Sequence, residues 1–221
     1  MTALILGGTG LVGNQLVQLL IEDNRFETIE LLTRRALDQI ELKVLTHVVD
    51  FNNLEILPLN SKVDVLFIAF GSTIKKAGSQ AKQIEIDVTI PTKVMELAKI
   101  HGIEKCVLIS SLGVSAKSPF FYSRMKAQLD ENARKIGFDE LIIIKPSMLD
   151  GNRTEKRLGE KLSISIGNFL GKTGLINKYR PVEVINVAKC MIQSIIELPN
   201  GTFEIPSNEI VDYAKRYSES K

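Results

Sequence analysis

Six short runs along the chain are rich in apolar residues: 2–6 (TALIL), 27–32 (ETIELL), 43–49 (KVLTHVV), 63–70 (VDVLFIAF), 105–110 (KCVLIS) and 140–145 (ELIIIK). A strand with one wet face alternates apolar and polar residues, so short apolar-rich runs predict strands covered on both faces. Between them apolar residues recur at helical spacing, which predicts helices over about 11–22, 79–101, 122–136 and 182–197, with a weak connection near 53–57. Strand and helix alternate, so the expected fold is a doubly wound parallel α/β sheet with right-handed crossovers.

Three places break the pattern. Pro91 interrupts the 79–101 stretch, where either a new helix begins with Thr89 as its cap or one long helix is kinked. After Pro146, residues 147–178 carry five glycines among scattered lysines and arginines without clean periodicity. This stretch is expected to form a small loop-rich lobe on the substrate side of a single domain spanning 1–221. Residues 201–206 (GTFEIP) read as a last strand, and the final ten residues as a polar tail or an exposed helix.

Charge narrows the partners. Lysine and arginine (28) nearly balance aspartate and glutamate (26), so the net charge of +2 gives no global attraction to nucleic acid or an anionic membrane. Cys106 and Cys190 lie in apolar stretches without metal-ligand spacing to His47 or His101, and read as reduced core residues. No apolar run approaches the roughly 20 residues that cross a bilayer, and the N-terminal run stops after Leu6. The expected protein is cytoplasmic and acts on a small molecule.

The first strand runs into Gly7-Gly8-Thr9-Gly10-Leu11-Val12-Gly13 and then into a helical pattern. Glycine there permits a tight turn, close approach of the backbone to a diphosphate, and close contact between helix and strand. The helix N-terminus that follows favours negative charge, so Gly7, Thr9, Gly10, Leu11, Val12 and Gly13 are candidate contacts to a dinucleotide in a Rossmann fold. After the second strand, where an acid would hold the ribose diol of NAD, the chain reads Arg34-Arg35. Guanidinium groups pair with a 2′-phosphate, so NADP(H) is expected over NAD(H), unless the two arginines are merely a solvated turn. Asp50 and Phe51 after the third strand, and Phe70, Gly71, Ser72 and Thr73 after the fourth, are candidates for the adenine and central channel. Asp50 reads equally well as a turn residue.

Ser110 and Ser111 end the fifth strand, and Tyr122 and Lys126 follow at the start of the next helix. A spacing of four puts Tyr122 and Lys126 on one face. A phenol titrates near about 10, and a neighbouring ammonium favours its ionised form, so this pair suits proton transfer to a carbonyl oxygen. Ser111 is preferred over Ser110 for orienting that oxygen, because alternation sends the two to opposite faces. Tyr217 and Lys221 repeat the same spacing at the end of the sequence without a strand end or serines beside them, and are read as coincidence.

Taken together, the glycine turn, ISSLGVSAKSPFFYSRMK and IIIKPSMLDGNR resemble the atypical short-chain dehydrogenase/reductases. Within that superfamily the chain is similar to the small group that includes the Tat-interacting oxidoreductase-like protein of animals and its bacterial relatives. The resemblance covers roughly Leu4 to Ile205. It implies a seven-strand dinucleotide-binding fold, NADP(H) as cofactor, catalytic positions Ser111, Tyr122 and Lys126, and Ser110 and Pro146 beside the cofactor. Asp87 stands where many relatives place an asparagine that supports a proton relay. Relatives often dimerise through the counterparts of helix 79–101 and the Tyr122 helix, so a homodimer is possible. The expected activity is oxidoreduction of a small carbonyl or alcohol. The alternative is a dinucleotide-binding sensor that regulates a protein partner. Epimerase or dehydratase chemistry is disfavoured, since no region matches a large sugar-nucleotide domain.

Overall fold

A computed structural model describes residues 1–37, 41–59, 61–150 and 180–220. Each apolar run becomes a strand: β1 (Thr2–Leu6), β2 (Thr28–Thr33), β3 (Val44–Val48), β4 (Val65–Ile68), β5 (Lys105–Ile109) and β6 (Glu140–Lys145). Two short strands follow, β7 (Leu149–Asp150) and β8 (Val182–Glu183), and then β9 (Gly201–Pro206). The main sheet has seven strands in the order β3-β2-β1-β4-β5-β6-β9, and every pairing is parallel. This is the doubly wound Rossmann order, which reverses direction between β1 and β4 and opens a crevice at the strands' carboxyl ends.

Alternation divides the apolar runs between two cores. Ala3, Ile5, Phe67, Val107, Ile142 and Ile144 face α1 (Leu11–Glu22) and a later helix, Val184–Glu197. Leu4, Leu6, Leu66, Ile68, Cys106, Leu108 and Ile143 face the layer on the other side. That layer holds α2 (Ile74–Ala77), α3 (Gln80–Ile84), α4 (Ile90–Ile100) and α5 (Phe121–Ile136). Val184–Glu197 is α6, and Ile210–Glu219 is α7. Both cysteines are buried, and desolvation raises each thiol far above its ordinary value.

Pro91 does not begin a separate helix with Thr89 as its side-chain cap. The chain passes from α3 through a π-helical segment, Glu85–Thr89, straight into α4 with helical backbone angles at the junction, and Pro91 sits in the first turn of α4. A widened turn absorbs the proline, whose missing N–H and bulky ring disrupt regular i−4 pairing. The 53–57 connection is irregular rather than helical, although Leu54 and Leu57 are buried.

The last segment departs furthest from expectation. It forms α7, with Ile210, Ala214 and Tyr217 buried on the α1 side, and Tyr217 is 1 % exposed. The Tyr217 hydroxyl donates to the Leu19 carbonyl at 3.5 Å, and Arg25 lies over its ring at 5.5 Å. Residues 151–178, most of the expected substrate-side lobe, lie outside the described residues. The flanks of that stretch are stitched together: β7 pairs with β8, Val182 N–H donates to the Met148 carbonyl at 2.8 Å, and the Ser147 hydroxyl donates to the Arg180 carbonyl at 2.6 Å.

Candidate active site

The glycine turn is built on contacts that leave no room for side chains. Gly7 has φ +95°, a left-handed conformation that favours glycine, and a Cβ there would lie 2.6 Å from the Ala69 carbonyl oxygen. A Cβ at Gly13 would lie 2.0 Å from the Gly7 oxygen, so α1 touches the strand end through bare backbone. Gly10 N–H donates to the Gly7 carbonyl at 2.9 Å, and the first intrahelical bond runs from Asn14 N–H to the Gly10 carbonyl. No side chain caps α1 at Gly10, so the N–H groups of Leu11, Val12 and Gly13 open the helix without a capping oxygen. Val12 is buried in the core, while Thr9 is exposed at the tip of the turn. The residues present therefore suit a dinucleotide diphosphate: the backbone is bare where it must approach, and the helix end is electropositive.

Beside this turn a cavity of about 400 Å³ is lined by Arg34, Asp50, Phe51 and Phe70, together with Lys82, Glu85, Ile86 and Ile90 from the α3–α4 region. The Phe51 and Phe70 rings are 5.9 Å apart and tilted by 43°. Sequence reasoning found the first four and missed the rest, because 79–101 gave no sign of which face looks toward β2 and β3. Asp50 lines the cavity and also makes a turn, accepting from Asn52 N–H at 3.0 Å and from Asn53 Nδ2 at 2.7 Å. Arg35 is exposed and outside this lining.

Past β4, the Asp87 carboxylate accepts from Ser72 N–H at 2.6 Å and is 2 % exposed. A Cβ at Gly71 would meet Asp87 Oδ2 at 3.5 Å, ordinary contact distance, so the turn rests on this carboxylate. The Thr73 hydroxyl accepts from Lys76 N–H at 3.3 Å and so caps α2.

The Ser/Tyr/Lys positions flank the connection from β5 to α5. The loop between them folds back on the helix: the Ser123 hydroxyl accepts from Ser115 N–H at 3.0 Å, and Arg124 Nη1 donates to the Ser118 and Pro119 carbonyls at 2.9 and 2.8 Å. These bonds fix the first turn of α5, which carries Tyr122 half-buried against the core. One turn later Lys126 is 4 % exposed, and its ammonium donates to the Ile109 carbonyl at 3.0 Å, at the end of β5. Ser110 is buried and Ser111 half-buried; the Leu112 N–H donates to the Pro146 carbonyl at 2.9 Å, tying this loop to the end of β6.

Behind Lys126 lies a group the sequence reading missed. Asp130, another turn along α5, is 2 % exposed, and Lys145 Nζ from the end of β6 approaches its Oδ2 at 3.6 Å. Burial raises the Asp130 carboxyl above its ordinary value, against the opposing pull of Ser110, Lys145, Lys126 and Arg134. The Ser110 hydroxyl stands against this carboxyl without reaching strict hydrogen-bond geometry. The repeated spacing 122, 126, 130 was the available signal.

Comparison with known proteins places this arrangement. A family model described as NAD(P)H-binding matches residues 7–195. "Protein FMP52, mitochondrial" of Candida albicans is 36% identical over 207 residues, covering 91% of this chain and 90% of that protein. HTATIP2 of Rattus norvegicus is 29% identical over 211 residues, covering 94% and 86%. MoeE5, solved with UDP-glucose and NAD, superposes with a TM-score of 0.68 at 17% identity, over 98% of this chain and 82% of that one.

Two expectations are corrected. The preference for NADP(H) over NAD(H) does not stand: MoeE5 and other matching structures hold NAD. Arg34 and Arg35 are both exposed on the turn after β2, and of the two Arg34 alone reaches the cavity lining. The cytoplasmic placement is overturned by the FMP52 relatives, whose names place them in mitochondria. Among the described residues no helix is long and apolar enough to cross a membrane, a property that does not distinguish one aqueous compartment from another. With its glycine cradle, sheet order and relatives agreeing over nearly the whole sequence, the chain belongs to the NAD(P)H-binding Rossmann family, as an oxidoreductase-type member related to FMP52 and HTATIP2.

Proposed function

We propose that this protein is an NAD(H)-dependent oxidoreductase acting on a small carbonyl or alcohol, with Tyr122 as proton donor and acceptor, Lys126 as its electrostatic partner and Ser111 as the group that orients the reacting oxygen. The observation that carries this reading is the buried Lys126, held by the Ile109 carbonyl one helical turn behind Tyr122 and on the same sheet edge as the glycine cradle. A sensor needs the cradle but has no use for an ammonium desolvated beside a phenol.

In this reading Gly7, Gly10 and the opening N–H groups of α1 would hold the diphosphate, and the cavity between Phe51 and Phe70 would take the adenine. The bound nicotinamide supplies or accepts the hydride. Asp87 holds the Ser72 turn in place, and Lys126 stabilises the Tyr122 phenolate left after its proton passes to the substrate oxygen. Tyr122→Phe separates the readings: retained NADH affinity with lost turnover on a carbonyl panel is expected. A parent protein that binds NADH yet turns over nothing across broad aldehyde and ketone panels would refute the enzyme and favour the sensor.

A further inference from the structure

Asp130 has no part in the reaction as assigned above, yet it is buried to 2 % exposure on the same helical stripe as Tyr122 and Lys126. An isolated carboxylate is strongly disfavoured in such a place, so its surroundings decide its state. Lys126 lies one turn before it and Arg134 one turn after it on α5, Ser110 faces it from the end of β5, and Lys145 reaches it from the end of β6 at 3.6 Å. Lys145 in turn contacts Glu204 on β9 at 2.6 Å, and Glu204 also pairs with Arg134. Glu204 is 43% exposed. Asp130 thus has Lys126 one turn away on its own helix and Lys145 as its ion-pair neighbour from β6. On the side of α5 facing the π-helical segment, the buried acid is Asp87, which is held by the Ser72 N–H.

We infer that Asp130 is a positioning residue, a buried carboxylate one helical turn from Lys126 that keeps its ammonium charged, so that the Tyr122 phenol is tuned from two turns away. The inference rests on the Tyr/Lys reading. Two charges lie on the track in the direction of Tyr122, and they act oppositely. A carboxylate at Asp130 acting on the phenol through space alone would disfavour the phenolate. Acting through Lys126, it preserves the cation that favours the phenolate, because a buried lysine without a counter-charge sheds its proton more readily.

The test titrates Tyr122 by its phenolate absorbance, isolated as the difference between the parent protein and Tyr122→Phe, in the parent, Asp130→Asn and Asp130→Glu backgrounds. The expected result is a Tyr122 midpoint below that of a free phenol in the parent, raised by about one unit or more in Asp130→Asn, and largely restored in Asp130→Glu. A midpoint unchanged or lowered in Asp130→Asn, with a lowered midpoint in the parent, overturns the inference and leaves the Tyr/Lys reading intact. An ordinary midpoint in the parent takes down both. If Asp130→Asn does not fold, the parent protein alone decides: nitrogen chemical shifts of Lys126 should show a step at the midpoint of the Asp130 carboxyl carbon, and independent titrations overturn the coupling.

Discussion

Replacing Gly13 with alanine tests the cradle most directly. The added methyl would sit 2.0 Å from the Gly7 oxygen, 2.7 Å from the Gly7 carbonyl carbon and 2.9 Å from the Gly8 Cα. All three are backbone atoms, so no rotamer change relieves the clash. Restoring ordinary contact requires α1 and the β1 turn to part by about 1.4 Å, in an interior packed as densely as an organic crystal. Overpacking of this kind costs about 1–3 kcal/mol and more where backbone must move, so a loss of at least about 3 kcal/mol is expected. The same displacement moves the opening N–H groups of α1 away from the turn after β1, which should weaken NADH binding at least tenfold. Gly8→Ala is the control. Its methyl would meet only the Leu31 and Val17 side chains, at 3.1 and 3.4 Å, and the cost should stay under about 1 kcal/mol. Urea unfolding followed by circular dichroism gives the stability, and quenching or enhancement of NADH fluorescence gives the affinity. A Gly13→Ala protein with the parent's midpoint and affinity, or a Gly8→Ala protein damaged as badly, would refute this reading of the turn.

Other expectations follow from single contacts. Tyr217→Ala removes a ring buried between α7, Leu19 and Arg25, and should cost about 3–5 kcal/mol, visible as a lowered melting temperature without loss of NADH affinity at lower temperature. Although burial alone would raise it, the Asp23 carboxyl is held below its ordinary value by Arg25, which donates at 2.6 and 2.8 Å. A lowered native value means stability present above the unfolded carboxylate range and lost as pH falls through it; Asp23→Asn should lack that part of the acid-side decline in stability. Cys106 and Cys190 are buried, with desolvation holding both as thiols, so Ellman's reagent should label neither in the native protein and both after unfolding.

The central strands were readable because β1, β4 and most of β5 and β6 are apolar on both faces, and only a doubly covered parallel sheet asks for that, whereas β2 buries Glu30 and β3 leaves Leu45 and Val48 exposed. The glycine turn was readable because its spacing follows from close contacts that the structure shows at Gly7 and Gly13. What escaped were features set by three-dimensional neighbours. Asp130 reads as an ordinary helix-surface acid until Ser110 and Lys145 are seen to wall it in. The final helix was obscured by its many charges, although Ile210, Ala214 and Tyr217 keep helical spacing on one face. The two arginines after β2 misled because a charge's partner depends on burial and orientation, and sequence supplies neither.

The widened turn at Glu85–Thr89 makes the length of this region matter more than its spelling. In a regular helix each residue advances the face by about 100°. Deleting one residue from this turn would therefore either swing Val94, Met95, Leu97 and Ala98 out of the packed layer or carry Asp87 off the Ser72 amide it supports. Descendants of this chain can respell the four positions other than Asp87 with other helix formers, but a gap of one here strands either the sheet's cover or the loop beside the cofactor channel.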